Sequence, residues 1–143
     1  MVKVFIDTNI LIDFFFPERK DYEIAAEVFT MILDGNFEAA ISTQSILDTI
    51  YVCQKSKNAD MASMRSKMSS LTLRTNIGQI DSFEIRDALE NQNPDIEDNA
   101  QISFAYDQVC DIFLTNDRKI LSRKLPEPMI AMTPSDFVDR CKQ

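Results

Sequence analysis

An α/β fold, with a central parallel sheet of about five strands and helices on both faces (three layers, α/β/α), is what this sequence predicts. Three observations lead there. Short strand-like runs recur along the chain, and longer stretches between them place apolar residues at helical spacing. Those stretches are also long enough to carry the crossovers that a parallel sheet needs. Val2–Ile6 is the first strand. Pro17 and the charged Glu18-Arg19-Lys20 break the chain before a helix over Tyr22–Leu33, in which Ile24, Ala25, Val28, Phe29 and Ile32 recur at helical spacing. Gly35 and Asn36 stop that helix. Ala39–Ile41 is a brief second strand, and Ser42 or Thr43 caps a helix reaching about Lys57. A more polar helix spans about Asp60–Leu73. Asn76–Ile80 is the third strand. Asp81 or Ser82 caps a helix that ends near Asn91–Pro94, and another follows over about Ile96–Gln108. Asp111–Thr115 is the fourth strand and Met129–Ala131 the fifth. Thr133-Pro134-Ser135-Asp136 supplies a cap, a proline at the first helical position and a first-turn acid for a last helix.

Length and composition narrow the function classes. The 143 residues suit one domain, 1–143, and 45% apolar with 27% charged residues is the balance of a chain that builds its own core in water. No apolar run approaches the roughly 20 residues of a membrane helix, and no cleavable signal pattern stands at the start. The expected setting is cytoplasmic, with no membrane partner. Cys53, Cys110 and Cys141 are odd in number, widely spaced and set among apolar residues, so they are expected to be reduced, buried thiols. The absence of histidine removes most general-base and triad chemistry. Two glycines, Gly35 and Gly78, cannot build a phosphate-cradling loop.

The net charge of −8 argues at first against a nucleic-acid partner. Its distribution changes that. Between residues 51 and 80, Lys55, Lys57, Arg65, Lys67 and Arg74 face Asp60 alone, whereas nine acids against Arg86 follow between residues 81 and 111. The basic segment is a candidate RNA-binding surface; an ordinary solvated helical face is the competing reading.

The first strand runs straight into Asp7, followed by Thr8 and Asn9. An ionised carboxylate after a buried strand loses hydration unless something compensates it, and a metal ion is one such compensation. Asp48, Asp98 and Asp117 recur in similar settings. Four carboxylates in a chain without histidine point to an oxygen-only site for a hard divalent cation. Parallel sheets bind ligands beyond the C-terminal ends of their strands. Asp7 and Asp117 follow strands almost immediately, and Asp48 lies in the first turns of the helix after the second strand. For Asp98, the two helices between the third and fourth strands leave the edge open.

Four segments together resemble the PIN-domain nucleases, a family that includes the ribonuclease toxins of VapBC-type toxin–antitoxin pairs. They are Phe5-Ile6-Asp7-Thr8-Asn9-Ile10-Leu11, Ile41-Ser42-Thr43 through Leu47-Asp48, Asp95-Ile96-Glu97-Asp98-Asn99-Ala100-Gln101 and Phe113-Leu114-Thr115-Asn116-Asp117. They occur in the family's order and about its spacing, and Met132–Phe137 resembles the end of many members. The resemblance implies a PIN-like fold and a ribonuclease using magnesium or manganese, with Asp7, Asp48, Asp98 and Asp117 as metal-binding, catalytic acids. Asn9 and Thr115 or Asn116 would be polar supports. It implies hydrolysis that leaves a 5′-phosphate, with RNA as substrate and an antitoxin or a second copy of the chain as partner. The family more often has glutamate where Asp48 stands, so the shorter arm leaves room for a water between carboxylate and ion. A phenylalanine common two residues beyond the last acid is replaced by Lys119.

Structural roles compete with each catalytic one. Asp7 and Asp117 could cap helices, Asp98 could serve a helix dipole, and Asp48 lies past the edge of an apolar arc of Ile46, Leu47, Ile50, Tyr51 and Cys53. Phe14, Phe15 and Phe16 cannot all face one side of a helix, so one is a candidate for a dimer or antitoxin interface. A PIN domain serving as a binding module is the alternative function. A phosphotransferase with Asp7 as nucleophile would want a second acid where Asn9 stands.

Overall fold

The computed structural model describes residues 1–143. Strands β1 (Lys3–Ile6), β2 (Glu38–Ser42), β3 (Asn76–Gly78), β4 (Ile112–Leu114) and β5 (Ile130–Met132) form one sheet in the order β3-β2-β1-β4-β5, every pair parallel. Helices α1 (Thr8–Phe15), α2 (Tyr22–Leu33), α3 (Thr43–Lys55), α4 (Met61–Arg74), α5 (Ser82–Glu90), α6 (Ile96–Asp107), α7 (Arg118–Leu121) and α8 (Pro134–Cys141) complete the chain. This is the three-layer arrangement that strand–helix alternation predicts.

The pleat sorts the strand residues between two cores. Val4, Ile6, Ala39, Ile41, Ile112 and Leu114 face one side, where they meet α1, α2, α3, α4 and α8 in the larger cluster. Phe5, Ala40 and Phe113 face the other, against Ile102, Phe104 and Ala105 of α6 and Ile120 of α7. The rings of Phe5 and Phe113 lie 4.6 Å apart and Phe5 meets Phe104 edge-on at 5.9 Å, an aromatic trio at the centre of the smaller core. Gly78 is needed at the edge of that core. A Cβ there would stand 2.9 Å from the Phe104 ring.

Several boundaries differ from the sequence reading. α1, which the sequence reading gives no bounds, starts at Thr8 directly after its cap Asp7, and Ile10, Leu11, Ile12 and even Asp13 are buried in it. Asp13 tolerates that position through Arg19, whose Nε donates to it at 2.6 Å. Phe16 is buried and Phe14 and Phe15 pack half-buried on the larger core, Phe14 at 4.4 Å from Phe29. Cys53 and Cys110 are buried as expected, but Cys141 is exposed in the last turn of α8. No helix is long and apolar enough to cross a membrane.

Candidate metal centre

β1 and β4 are neighbours in the sheet although the chain visits β2 and β3 between them. Crossovers therefore leave them in opposite directions, and a crevice opens beyond their C-terminal ends. Asp7, the residue after β1, caps α1: its Oδ1 accepts from the Thr8 amide at 2.8 Å. Its Oδ2 accepts from the Thr115 hydroxyl at 2.7 Å. Thr115 is fully buried just past β4, and its Oγ1 accepts from the Asp117 backbone N–H at 2.9 Å. Asp117 in turn caps α7, accepting from the Lys119 amide at 2.9 Å. One threonine thus orients two acids from two strands.

Asp98 reaches the same edge by a different route. α6 delivers the chain to the start of β4, so it must begin at the opposite, C-terminal edge of the sheet. That settles what alternation alone left open. Asp95 caps α6 and accepts from the Asp98 amide at 3.0 Å, placing Asp98 in the first turn. Glu97, beside it, is exposed.

The protonation of these acids reflects their grouping. Burial pushes the Asp7 carboxyl above its usual range against the hydrogen bonds from Thr115 and Thr8, and the charges of Asp117 and Glu97 add to the rise. Asp98 is pushed up to about 7, first by burial and then by the Asp95 and Asp117 charges, a side-chain bond with Asp95 and the charge of Asp7. The Asp117 charge therefore reaches both Asp7 and Asp98, and the Asp7 charge reaches Asp98. In this arrangement, however, no three acids stand close enough together to chelate one ion. Their chemistry fits a hard divalent cation nonetheless: the donors are all oxygen, and their mutual repulsion is what such a charge relieves.

Asp48 is held apart. Its carboxylate accepts from the Gln44 side-chain amide at 3.1 and 3.3 Å on the outer part of α3. The buried face of α3 is Ser45, Thr49 and Cys53, whereas Leu47 and Tyr51 of the expected apolar arc are 65% and 60% exposed. The helix turns its small polar residues inward because they have partners there. Ser45 Oγ lies 2.7 Å from Thr8 Oγ1 and accepts from the Gln101 amide at 3.3 Å, and the Ser42 hydroxyl donates to Gln101 Oε1 at 3.1 Å. This buried network ties α1, β2, α3 and α6 together beneath the crevice, and Asp48 stands one turn beyond Ser45. Composition alone did not flag Thr8 and Ser45; a cluster of hydroxyls at two strand ends was the available signal.

The remaining candidates separate. Asn9 is exposed, and Asn116 is half-buried with its Nδ2 enclosed and without an acceptor. Among the five cations, the Lys67 ammonium lies 5.1 Å from the Phe14 ring centre and 6.0 Å from that of Tyr22. Lys55 lies over Tyr51 at 5.4 Å. Arg74 donates to the Leu33 carbonyl at 3.3 Å, where α2 ends before β2 begins, at the edge of the sheet opposite Asp7. Lys57 and Arg65 are exposed and make no ion pair.

A parallel sheet in this order, with acids at the β1–β4 crevice and on the helix entering β4, defines a class of protein as well as a site. Residues 3–119 match the PIN domain family, and the chain belongs to it. It is 25% identical to Ribonuclease VapC1 of Aquifex aeolicus, across 96% of this chain and 94% of that protein. Two solved structures share the fold. VapBC2 from Rickettsia felis, bound to a DNA fragment from its promoter, has a TM-score of 0.62 and 20% identity over 92% of this chain and 98% of that one. Mycobacterium tuberculosis VapC20, described as a toxin that cleaves the sarcin-ricin loop, has a TM-score of 0.66 and 9% identity over 87% and 97%.

Proposed function

We propose that this protein is a metal-dependent endoribonuclease that hydrolyses RNA phosphodiesters at the crevice beyond β1 and β4. The observation that carries the reading is the pairing of Asp7 and Asp117 through the buried Thr115, with Asp98 close enough to feel both charges. The relative's name, a ribonuclease, and the RNA-cleaving toxin of the same fold support RNA as the substrate.

Asp7, Asp98 and Asp117 would hold a magnesium or manganese ion, with Asp48 acting from α3 through a water. When bound, the ion supplies an activated water and charge neutralisation at the phosphate oxygens. The protein's own groups do the rest. Thr115 keeps Asp7 Oδ2 in place and fixes the backbone of Asp117, so two carboxylates need little reorganisation when substrate arrives. Asp98 holds a proton near neutral pH and releases it for the site to reach full negative charge. Asn116, whose amide donor lacks a protein acceptor, offers it to a phosphate oxygen. Lys57 and Arg65, the cations without internal duties, attract the backbone of the strand.

An antitoxin is the partner proposed, on the strength of the toxin–antitoxin complex among the similar folds. We place the protein in the cytoplasm, as a toxin of this kind requires. The test is cleavage of structured RNA with magnesium, with manganese and with chelator, for the parent and for Asp7→Asn. Metal-dependent cutting by the parent alone is the expected result. Equal cutting by both removes Asp7 from the site. Absence of cutting under either metal, with RNA still bound, leaves the protein a binding module.

A further inference from the structure

We infer that a cavity on the far side of α6 is a subsite for a guanine base of the RNA flanking the scissile phosphate. The inference rests on the ribonuclease reading above. While Asp98 serves the metal centre, Asn99, Ile102, Ser103 and Tyr106 recur at helical spacing along a neighbouring stripe of α6 and line a cavity of about 610 Å³. α5 and the segment after α7 close its other sides. A volume of that size accommodates a small ligand, a nucleoside included.

Arg123 gives the cavity its chemistry. Its Nη2 donates to Asn99 Oδ1 at 2.9 Å, and Asn99 is itself anchored by donating to the Asn93 and Ala88 carbonyls at 2.8 and 3.2 Å. The guanidinium is therefore held in place, yet its Nη1 is enclosed and finds no acceptor in the protein. A buried donor of this kind calls for an acceptor that something else must bring. At the cavity's lining stand two aromatic side chains that the fold leaves open, Phe83 at 65% and Tyr106 at 47% exposure. Aromatic rings available in this way are stacking platforms for unpaired bases.

Asp87, Asp107 and Glu127 line the cavity opposite Arg123 and Lys124, a net negative lining that disfavours a lone phosphate, and each carboxylate accepts from N–H groups. The ligand must then present adjacent acceptors to arginine, donors to a carboxylate and a flat face to the aromatic rings. Guanine does all three: O6 and N7 accept from a guanidinium, while N1–H and the exocyclic amine donate. Adenine carries a donor where guanine has O6, and the pyrimidines lack the N7/O6 pair. Position agrees with this assignment. Asn99, which holds Arg123, directly follows Asp98 in the first turns of α6, so the cavity adjoins the helix that carries one of the site's acids.

The test separates base binding from catalysis. Guanosine, adenosine, cytidine and uridine are titrated into the metal-free parent and followed by NMR. Guanosine is expected to bind about tenfold more tightly than the others, the discrimination of one bidentate arginine–guanine contact. Phe83→Ala and Tyr106→Ala, at exposed positions, should remove the preference without altering the manganese-induced rise in Tm; Arg123→Ala should do the same. In cleavage assays, changing the guanine beside the cut to adenine should lower kcat/KM about tenfold in the parent and leave Arg123→Ala nearly indifferent. Equal binding of the four nucleosides overturns the subsite, as does a guanosine preference that survives all three substitutions. An inactive protein that still prefers guanosine keeps the subsite and sinks the ribonuclease reading, and an active one without preference does the reverse.

Discussion

Asp7 and Asp48 lie on the same side of the sheet's edge but are held by opposite means. Asp7 stands on a strand end whose backbone is fixed by the sheet, its N–H donating to Leu114 at 3.0 Å, and both of its oxygens are engaged by Thr8 and Thr115. Asp48 rides on the outer part of a helix with only a side-chain amide, Gln44, as partner. The difference teaches where a site stores rigidity. Groups on adjacent parallel strands inherit their spacing from the ladder, whereas a helical carboxylate depends on its own rotamer. Substitution and titration can break or sharpen that contrast.

Asp7→Asn should have the largest effect: cleavage falls by more than ~100-fold, beyond the range for a supporting residue, while the apo fold survives. Because burial raises the Asp7 pKa, its ionised form is disfavoured in the folded state, so the neutral amide should raise the apo Tm at pH 7. Calorimetry beside an RNA cleavage assay checks both; an active variant with unchanged Tm would reduce Asp7 to a helix cap. Thr115→Val comes next. It keeps the shape but strips Asp7 of a donor and Asp117 N–H of an acceptor, so activity should drop ~10–100-fold. Stability should fall by about 1–3 kcal/mol in denaturant titrations.

Asp48→Asn should cost about tenfold in rate, near the lower bound for a residue acting through a water, with the melting curve unmoved. If it proves as damaging as Asp7→Asn, α3 must bring Asp48 into direct contact. Proton competition at Asp98 should be visible as a fall in manganese affinity between pH 8 and pH 6, measured by titration calorimetry, because its pKa is near 7. The linked stability has a definite sign. A carboxyl whose folded pKa is raised favours the folded state most below its unfolded value and loses that contribution as pH rises through about 7. The apo Tm of the parent should thus decline from pH 5 to pH 8 more than that of Asp98→Asn. The smallest effects belong to the cations. Lys57→Ala and Arg65→Ala should each lower the salt slope of RNA binding by about one, while Arg74→Ala leaves it unchanged.

Much of this architecture was legible in local sequence. The strands around Val4, Ala40, Phe113 and Ala131 lie where apolar runs predicted them, and Asp60, Asp81 and Thr133 cap the helices that their residue types announced. α1 was legible only through its cap, Asp7, because the burial of Ile10, Leu11, Ile12 and Asp13 leaves it little of the polar face that marks a surface helix. The inward turn of Ser45 and Thr49 over Leu47 and Tyr51 was misleading for the opposite reason. Hydrophobicity predicts which residues seek the core in the absence of polar partners, and here Thr8 and Gln101 supplied them. Charge counting likewise singled out Lys67 and Arg74, whose cationic groups turn out to lie against two rings and a helix-end carbonyl.

By itself, then, the sequence determined the alternation of strands and helices, their caps, and the presence of acids at strand ends without a histidine among them. Those features depend on residue type and on neighbours within one turn, where backbone geometry and capping act. Tertiary structure alone decided the order β3-β2-β1-β4-β5, the edge at which α6 begins, the single hydroxyl shared by Asp7 and Asp117, and the separation of Asp48 from them. Asp7 and Thr115 are 108 residues apart, and their contact exists only because two strands pair in one register. No local rule carries that information, since the free energy that selects the pairing comes from burying Val4, Phe5, Phe113 and Leu114 against both helical layers at once.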